Sequence, residues 1–220
     1  MYRFIKRFLD IVVSSMALIV FSPLLLLVSI AIKLDSPGPI LFKQKRVGLH
    51  KNYFYIYKFR TMRVDTPNDK PTHLLENPEQ YISRVGKFLR KSSCDELPNI
   101  ICVLTNKLSI IGPRPALWNQ YDLIDERDKY GANDVKPGIT GWAQINGRDE
   151  LPIETKAWFD GEYVKHFGLI MDIKCFFGTI VKVIKKEGVV EGMAVKSETV
   201  QMTEQPALSE AAATEEIVDN

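Results

Sequence analysis

A chain of 220 residues, 45% hydrophobic and 25% charged with a formal net charge of +2, is long enough to bury a core and too apolar to be disordered or collagen-like. Its three cysteines, Cys94, Cys102 and Cys175, include no C-x-x-C pair, and its three histidines are scattered, which excludes a disulfide framework and a zinc cluster and fits a reduced, cytosolic setting. The charge is segregated: residues 1–60 carry ten Lys/Arg against two Asp/Glu, whereas Thr203–Asn220 holds five acids and no base, so the front end is expected to meet a surface partner.

Ile11–Ile32 contains no charge, and as a helix its 22 residues extend about 33 Å, enough to cross a bilayer core of about 30 Å. No small-residue cleavage pattern follows, so it is not a removable signal peptide. Ser22-Pro23 sits at its centre. Pro23 has no N–H for the Ile19 carbonyl, and the Ser22 hydroxyl is placed to satisfy that carbonyl, so a break is tolerated in lipid. Arg3, Lys6 and Arg7 before the run and Lys33, Lys43, Lys45 and Arg46 after it make both flanks basic, which favours keeping both on the cytoplasmic side. A kinked helix that enters and returns satisfies both flanks. The simpler alternative, a kinked single pass, would export everything after residue 35 if the N-terminus stays inside.

The Asp35-Ser-Pro-Gly-Pro39 cluster predicts a turn, followed by a short hairpin built from Ile40–Phe42 and the aromatic run Tyr53–Phe59. Residues 64–80 are polar and Pro-rich and predict a mobile surface loop. Ile82, Val85, Phe88 and Leu89 recur at helical spacing among basic residues, giving a basic helix over Tyr81–Lys91. Further helices are expected over Asp95–Leu104 and Ala116–Tyr130, and the Gly-rich stretch Val135–Arg148 is expected to be a structured loop. The last helix, Gly168–Lys186, places Leu169, Ile173, Phe176, Ile180 and Ile184 on one face, a pattern that suits either an anionic membrane surface or a soluble core. Past Val195 the chain turns polar and acidic, and a disordered tail is expected.

Ser92-Ser-Cys-Asp-Glu-Leu-Pro-Asn99 carries the densest chemical signal, two adjacent carboxylates behind a basic helix. Ser93-x-x-Glu96 matches a capping box, and acids suit a first helical turn. The functional alternative is a carboxylate pair at a phosphate site, sharing a Mg²⁺, with one member attacking phosphorus or handling a proton. That alternative requires converging cations, and the chain offers Lys58 and Arg60 at the end of the second strand, Arg90, Arg114 and Arg148. Arg114 lies between two prolines, whose fixed backbone presents its fork at little ordering cost.

The ordered motifs Arg3 to Asp10, Ser22-Pro23, Lys58-Phe-Arg-Thr-Met62, Asp95-Glu-Leu-Pro-Asn99, Gly112-Pro-Arg-Pro115 and Lys136-Pro-Gly-Ile-Thr-Gly-Trp-Ala-Gln-Ile-Asn-Gly-Arg148 resemble the monotopic phosphoglycosyl transferases, the bacterial sugar transferases, over residues 1 to about 190. The resemblance implies an α+β, mostly helical chain. A re-entrant helix-break-helix anchor would occupy residues 1–34, with its break at Ser22 and Pro23. One cytoplasmic catalytic domain, with a small β-hairpin and interfacial amphipathic helices, would follow over 35–195, and the acidic tail over 196–220. The enzyme would lie on the cytoplasmic face of the bacterial inner membrane, in contact with its lipid.

The implied reaction moves a sugar-1-phosphate from a UDP-sugar to a polyprenyl phosphate such as undecaprenyl phosphate, with Mg²⁺ and release of UMP, initiating a glycoconjugate. Asp95 would be the nucleophile. Glu96 would bind Mg²⁺ with Asp95 or accept a proton. Arg114 and Arg148 match phosphate-binding loops, with Arg90, Lys58 and Arg60 as further phosphate ligands. Trp142 departs from the aliphatic residue many short members carry, and the tail matches no catalytic motif. A short chain of this kind points to the minimal branch, which often handles N-acetylated amino sugars. No nucleic-acid role is expected, a homodimer is left open, and the competing reading is a single-pass anchored scaffold that binds anionic lipid or a partner without chemistry.

Overall fold

The uncharged run forms the middle of one long helix. In the computed structural model, which describes residues 2–66, 78–147 and 151–185, α1 spans Tyr2–Asp35 and is about 51 Å long at 1.5 Å per residue. It continues through Pro23 as one helix, not as two helices with a break between them. The Ser22 hydroxyl donates to the Ile19 carbonyl at 2.8 Å, satisfying the acceptor that Pro23 leaves open.

Both ends of α1 are fixed to the same body. At the start, Arg7 gives its two amino groups to the Val103 and Leu104 carbonyls, at 2.7 and 3.0 Å. Asp10 accepts from the Ser109 hydroxyl and the Ile110 N–H, at 2.8 and 3.0 Å. Lys6, one of the basic residues of the flank expected on the cytoplasmic side, is buried and paired with Asp172 at 2.5 Å. Asp172 also accepts from the Tyr2 and Tyr163 hydroxyls, so the carboxylate taken out of water has a full set of donors. At the far end, Val28 and Ile32 pack against Phe59 and Leu89, and Asp35 accepts from the Val85 N–H at 3.2 Å. Between these anchor points Met16, Ile19, Val20, Leu26 and Leu27 stand exposed.

β1 (Leu41–Val47) and β2 (Tyr53–Phe59) form the expected antiparallel hairpin in a seven-pair register from Leu41 with Phe59 to Val47 with Tyr53. β1 runs past Phe42 because alternation places Gln44 and Arg46 on one face and Lys43 and Lys45 on the other, where Lys45 lies over the rings of Tyr53 and Trp118. The inner face, through Phe54 and Ile56, packs on Cys102, Val103 and Leu108. Before the hairpin, Gly38 has φ +121°, and a Cβ there would meet the Arg60 guanidinium at 2.1 Å, so both the turn and that close approach require glycine.

α2 (Arg84–Ser92) is the predicted basic helix, capped by Ser83, whose hydroxyl accepts from the Gly86 N–H. The helix expected from Asp95 to Leu104 is divided into a six-residue 3-10 segment, Cys94–Asn99, and α3 (Ile100–Leu104). Ser93 turns the chain in a left-handed conformation between α2 and that segment, and its hydroxyl makes no cap bond, so the capping box does not form.

α4 (Tyr121–Asp128) is shorter than the predicted Ala116–Tyr130, because Ala116 and Leu117 are drawn into pairing with β1 through Val47 and Arg46. Val135–Arg148 is more ordered than a loop: β4 (Gly138–Thr140) pairs in parallel with β3 (Ser109–Ile111), and α5 (Trp142–Ile145) follows. A Cβ on Gly138 or Gly141 would lie 2.1 Å from backbone atoms of Gly112, so these glycines let two loops touch main chain to main chain. The tail over 196–220 and most of the loop over 64–80 lie outside the described residues. The described turn Pro78–Gln80 belongs to a separate unit.

α6 (Ile153–Lys165) has no counterpart in the sequence expectation, since the face it buries is Ala157, Asp160, Gly161 and Tyr163, not an apolar stripe. α7 (Leu169–Lys185) matches the last predicted helix, yet it packs inward through Met171, Asp172 and Cys175. Leu169, Ile173, Phe176 and Ile180 are exposed, together with Ile170, Phe177, Val181 and Val183, so a broad apolar face remains uncovered.

Candidate active site

The 3-10 turn over Cys94–Asn99 is held edge-on to the hairpin by Asn99, whose buried side-chain carbonyl accepts from the Tyr57 N–H at 3.1 Å. That bond sets the adjacent pair Asp95 and Glu96 beside Lys58 at the end of β2. From the other side, the loop after β3 brings in Arg114. Glu96 accepts from Lys58 at 2.7 Å and from both Arg114 amino groups, at 2.5 and 3.2 Å. Its side chain is only 15% exposed. Burial alone would lift its pKa, but the charges of Arg114 and Lys58 and their hydrogen bonds override that and hold the carboxyl well below the usual range. Lys58 in turn is pulled down by burial, offset in part by Glu96.

Asp95 is the chemical opposite of its neighbour. Half-buried, it accepts no hydrogen bond among the described residues, and its pKa is raised by burial; Lys58, Arg90 and Arg114 oppose that rise while Glu96 adds to it. Two adjacent carboxylates are thereby divided: Glu96 is a fixed counter-ion for two cations, and Asp95 keeps both oxygens available in a poorly hydrated, positively surrounded place. Such a carboxylate can attack an electrophile that itself carries negative charge.

Of the expected phosphate ligands, Lys58, Arg90 and Arg114 come together around the pair. Arg90 is steered by a bond from its Nε to the Thr61 hydroxyl at 2.9 Å. Arg60 turns away and gives its guanidinium to the Ser36 and Pro37 carbonyls, both at 2.7 Å, which ties the turn after α1 to the end of β2. Arg148 lies outside the described residues, and Ser22 and Pro23 belong to the exposed middle of α1. Asn99 and Arg46, which gives an amino group to the Pro115 carbonyl at 2.9 Å, escaped the sequence reading; the only signal for Asn99 was its place at the end of the Asp-Glu-Leu-Pro-Asn run.

Among the described residues, no three His, Cys, Asp or Glu side chains converge into a metal site. Of the two adjacent carboxylates, Glu96 has both oxygens on Lys58 and Arg114, which leaves Asp95 as the acid whose oxygens accept no hydrogen bond among the described residues.

A family described as bacterial sugar transferase matches residues 1–186. The chain is 42% identical over 188 residues to the UDP-glucose:undecaprenyl-phosphate glucose-1-phosphate transferase of Escherichia coli (strain K12), covering 82% of this chain and 40% of that protein. It is 39% identical over 184 residues to the UDP-N-acetylgalactosamine-undecaprenyl-phosphate N-acetylgalactosaminephosphotransferase of Aeromonas hydrophila, covering 81% of this chain and 43% of that one. With the uncharacterized sugar transferase EpsL of Bacillus subtilis (strain 168) it shares 38% over 194 residues, which is 88% of this chain and 94% of that protein. The chain thus spans about two fifths of the two relatives with named substrates.

Proposed function

This chain belongs to the bacterial sugar transferase family, and on that footing we propose that it transfers a sugar-1-phosphate from a UDP-sugar to undecaprenyl phosphate through a covalent phosphosugar-aspartyl intermediate. The observation that carries this reading is the split between the two carboxylates: Asp95 accepts no hydrogen bond among the described residues and is surrounded by cations, and Glu96 is clamped between Lys58 and Arg114.

In the first step an Asp95 oxygen attacks the β-phosphorus, the bond from that phosphorus to the bridging oxygen breaks, and UMP leaves with the electron pair. In the second step an oxygen of the lipid phosphate attacks the same phosphorus, and Asp95 departs as a carboxylate. Both steps bring anion onto anion, so the guanidiniums of Arg114 and Arg90 and the ammonium of Lys58 supply the opposing charge. Asp95, with Glu96 only if it gave up a bond to Lys58 or Arg114, would hold Mg²⁺, which when bound would supply further charge neutralisation at the diphosphate. With its carboxyl held low, Glu96 is a poor proton acceptor and serves as the counter-ion that aims Arg114 and Lys58.

The contacts of α1 support a re-entrant topology. A straight crossing puts the two ends of a helix on opposite sides of the bilayer, whereas Arg7 and Asp10 near one end and Ile32 and Asp35 at the other contact one body. A re-entrant course, in which α1 stays helical but bends at Pro23 so that its exposed middle lies in lipid, with the apolar face of α7 on the interface, accommodates both contacts on the cytoplasmic side. In a background without the native cysteines, Arg3→Cys and Lys43→Cys are expected to resist a membrane-impermeant maleimide added outside right-side-out vesicles, and both to react after permeabilisation. Labelling of Lys43→Cys from outside identifies the single-pass scaffold instead.

Relatives of nearly equal similarity carry names that specify glucose and N-acetylgalactosamine, so overall identity does not choose the donor. Purified protein in nanodiscs with Mg²⁺ and undecaprenyl phosphate is expected to release UMP from one or more of UDP-N-acetylglucosamine, UDP-N-acetylgalactosamine, UDP-glucose and UDP-galactose, the N-acetylated donors being the first to try. No release from any of them, with the lipid phosphate present, counts against the transferase reading. The product, a polyprenyl diphosphate sugar, is the form on which a glycoconjugate would be started.

A further inference from the structure

Arg127 on α4 and Asp160 on α6 form the most deeply buried ion pair among the described residues, with side chains 4% and 0% exposed. Two guanidinium nitrogens, Nε and Nη2, donate to one Asp160 oxygen, at 2.8 and 2.5 Å. Helix packing alone does not call for it, since Leu123 and Ile124 of α4 and Ala157 of α6 already share an apolar cluster. A buried ion pair is usually no better at such work than a hydrophobic one. The guanidinium has a third contact: Nη2 donates to the main-chain carbonyl of Arg114 at 2.9 Å.

Pro113 and Pro115 have no N–H, so on either side of Arg114 the main chain can bond only through carbonyls. Each of the three successive carbonyls is taken by a different element: Pro113 by the Gly138 N–H, Arg114 by Arg127, and Pro115 by Arg46. Asp160 makes two bonds to Arg127 and fixes the direction of its fork. We propose that Arg127 and Asp160 are a positioning pair for the transfer reaction: they set the Arg114 peptide so that its guanidinium lies on Glu96 and faces the substrate phosphates. The proposal rests on the placement of Arg114 at the phosphate site.

The test is a double-mutant cycle on the full chain in nanodiscs, combining Arg127→Met or Arg127→Lys with Arg114→Met, read as kcat/KM for UMP release and as the melting temperature. Arg127→Lys keeps a charge for Asp160 but cannot bridge to the carbonyl with the same fork, so it stands in if Arg127→Met fails to fold. With Arg114 present, loss of the fork is expected to cost about 10-fold or more in kcat/KM, and with Arg114→Met, where nothing remains to be aimed, less than about 2-fold. Equal losses in both backgrounds, or failure of both Arg127 variants to fold, make the pair a structural element only and overturn the proposal. If the wild type releases no UMP from any donor, the transferase reading fails by itself. The same cycle is then read through UDP affinity by calorimetry, where equal losses again overturn the positioning role and non-additive ones sustain it.

Discussion

Asp95→Asn is expected to stop UMP release and leave the fold standing. The carboxylate accepts no hydrogen bond among the described residues and is half-buried next to a second acid, so a carboxamide of nearly the same shape removes repulsion from Glu96 and breaks no bond. Stability is expected to stay within about 1 kcal/mol of wild type, as for a substitution without a named structural loss. Activity is expected to fall about 10³-fold or more, since the amide has no anionic oxygen to attack phosphorus. A second measurement separates a nucleophile from a general electrostatic helper: wild type given donor without lipid acceptor should gain the mass of one sugar-phosphate on the peptide that contains Asp95, and the variant should gain none. An adduct on another residue, or a fully active variant, removes Asp95 from the reaction.

The elements that announce themselves in the sequence are those whose periodicity is carried by many residues. The uncharged run of α1, the aromatic alternation of β2 and the 3.6-residue spacing in α2 and α7 each recur over seven or more positions. β3 and β4 have three residues each and pair in parallel from distant parts of the chain, so no local pattern marks them. Glycines 138 and 141, which suggest a loop, are there because two backbones meet at Gly112, a fact about contact that composition does not carry. α6 was invisible because the side it buries holds Asp160 and Gly161, whose partners lie on other elements.

The site divides along the same line. Two adjacent acids with basic residues nearby could be read directly, but which acid is tied and which is available depends on Lys58 and Arg114 arriving from a strand end and a loop. Arg60, two residues from Lys58 and also basic, would share its face if the strand continued, but β2 ends at Phe59 and the Arg60 guanidinium goes to the Ser36 and Pro37 carbonyls in the turn after α1. The front-end charge has a similar history. Lys6 and Arg7 read as a basic flank beside the uncharged run, and they also dock α1 on α7 and on the end of α3.

Glu96→Gln is the counterpart experiment, and its signature is in stability as well as rate. Wild-type Glu96 neutralises two partly buried cations. The amide leaves Lys58 and Arg114 facing each other across a neutral group, and breaking a buried pair from one side costs about 3 kcal/mol. The folded carboxyl titrates well below its ordinary value of 4.5, so the unfolded chain binds that proton more readily than the folded one. The stability it contributes is therefore complete above about pH 4.5 and is lost as the pH falls through the lower folded value. Chemical unfolding of wild type and Glu96→Gln in EDTA should give a stability difference that is constant from pH 8 to about pH 5 and shrinks toward zero below it. Asp95, whose pKa is shifted the other way, is present in both proteins and drops out of the difference to first order. Turnover of the variant is expected to fall about 10²-fold, the cost of a misaimed Arg114 and Lys58, with the phosphosugar adduct on Asp95 still detectable on a slower time scale. A difference in stability that does not change with pH, or turnover equal to wild type, would show that Glu96 does not hold the cations in place.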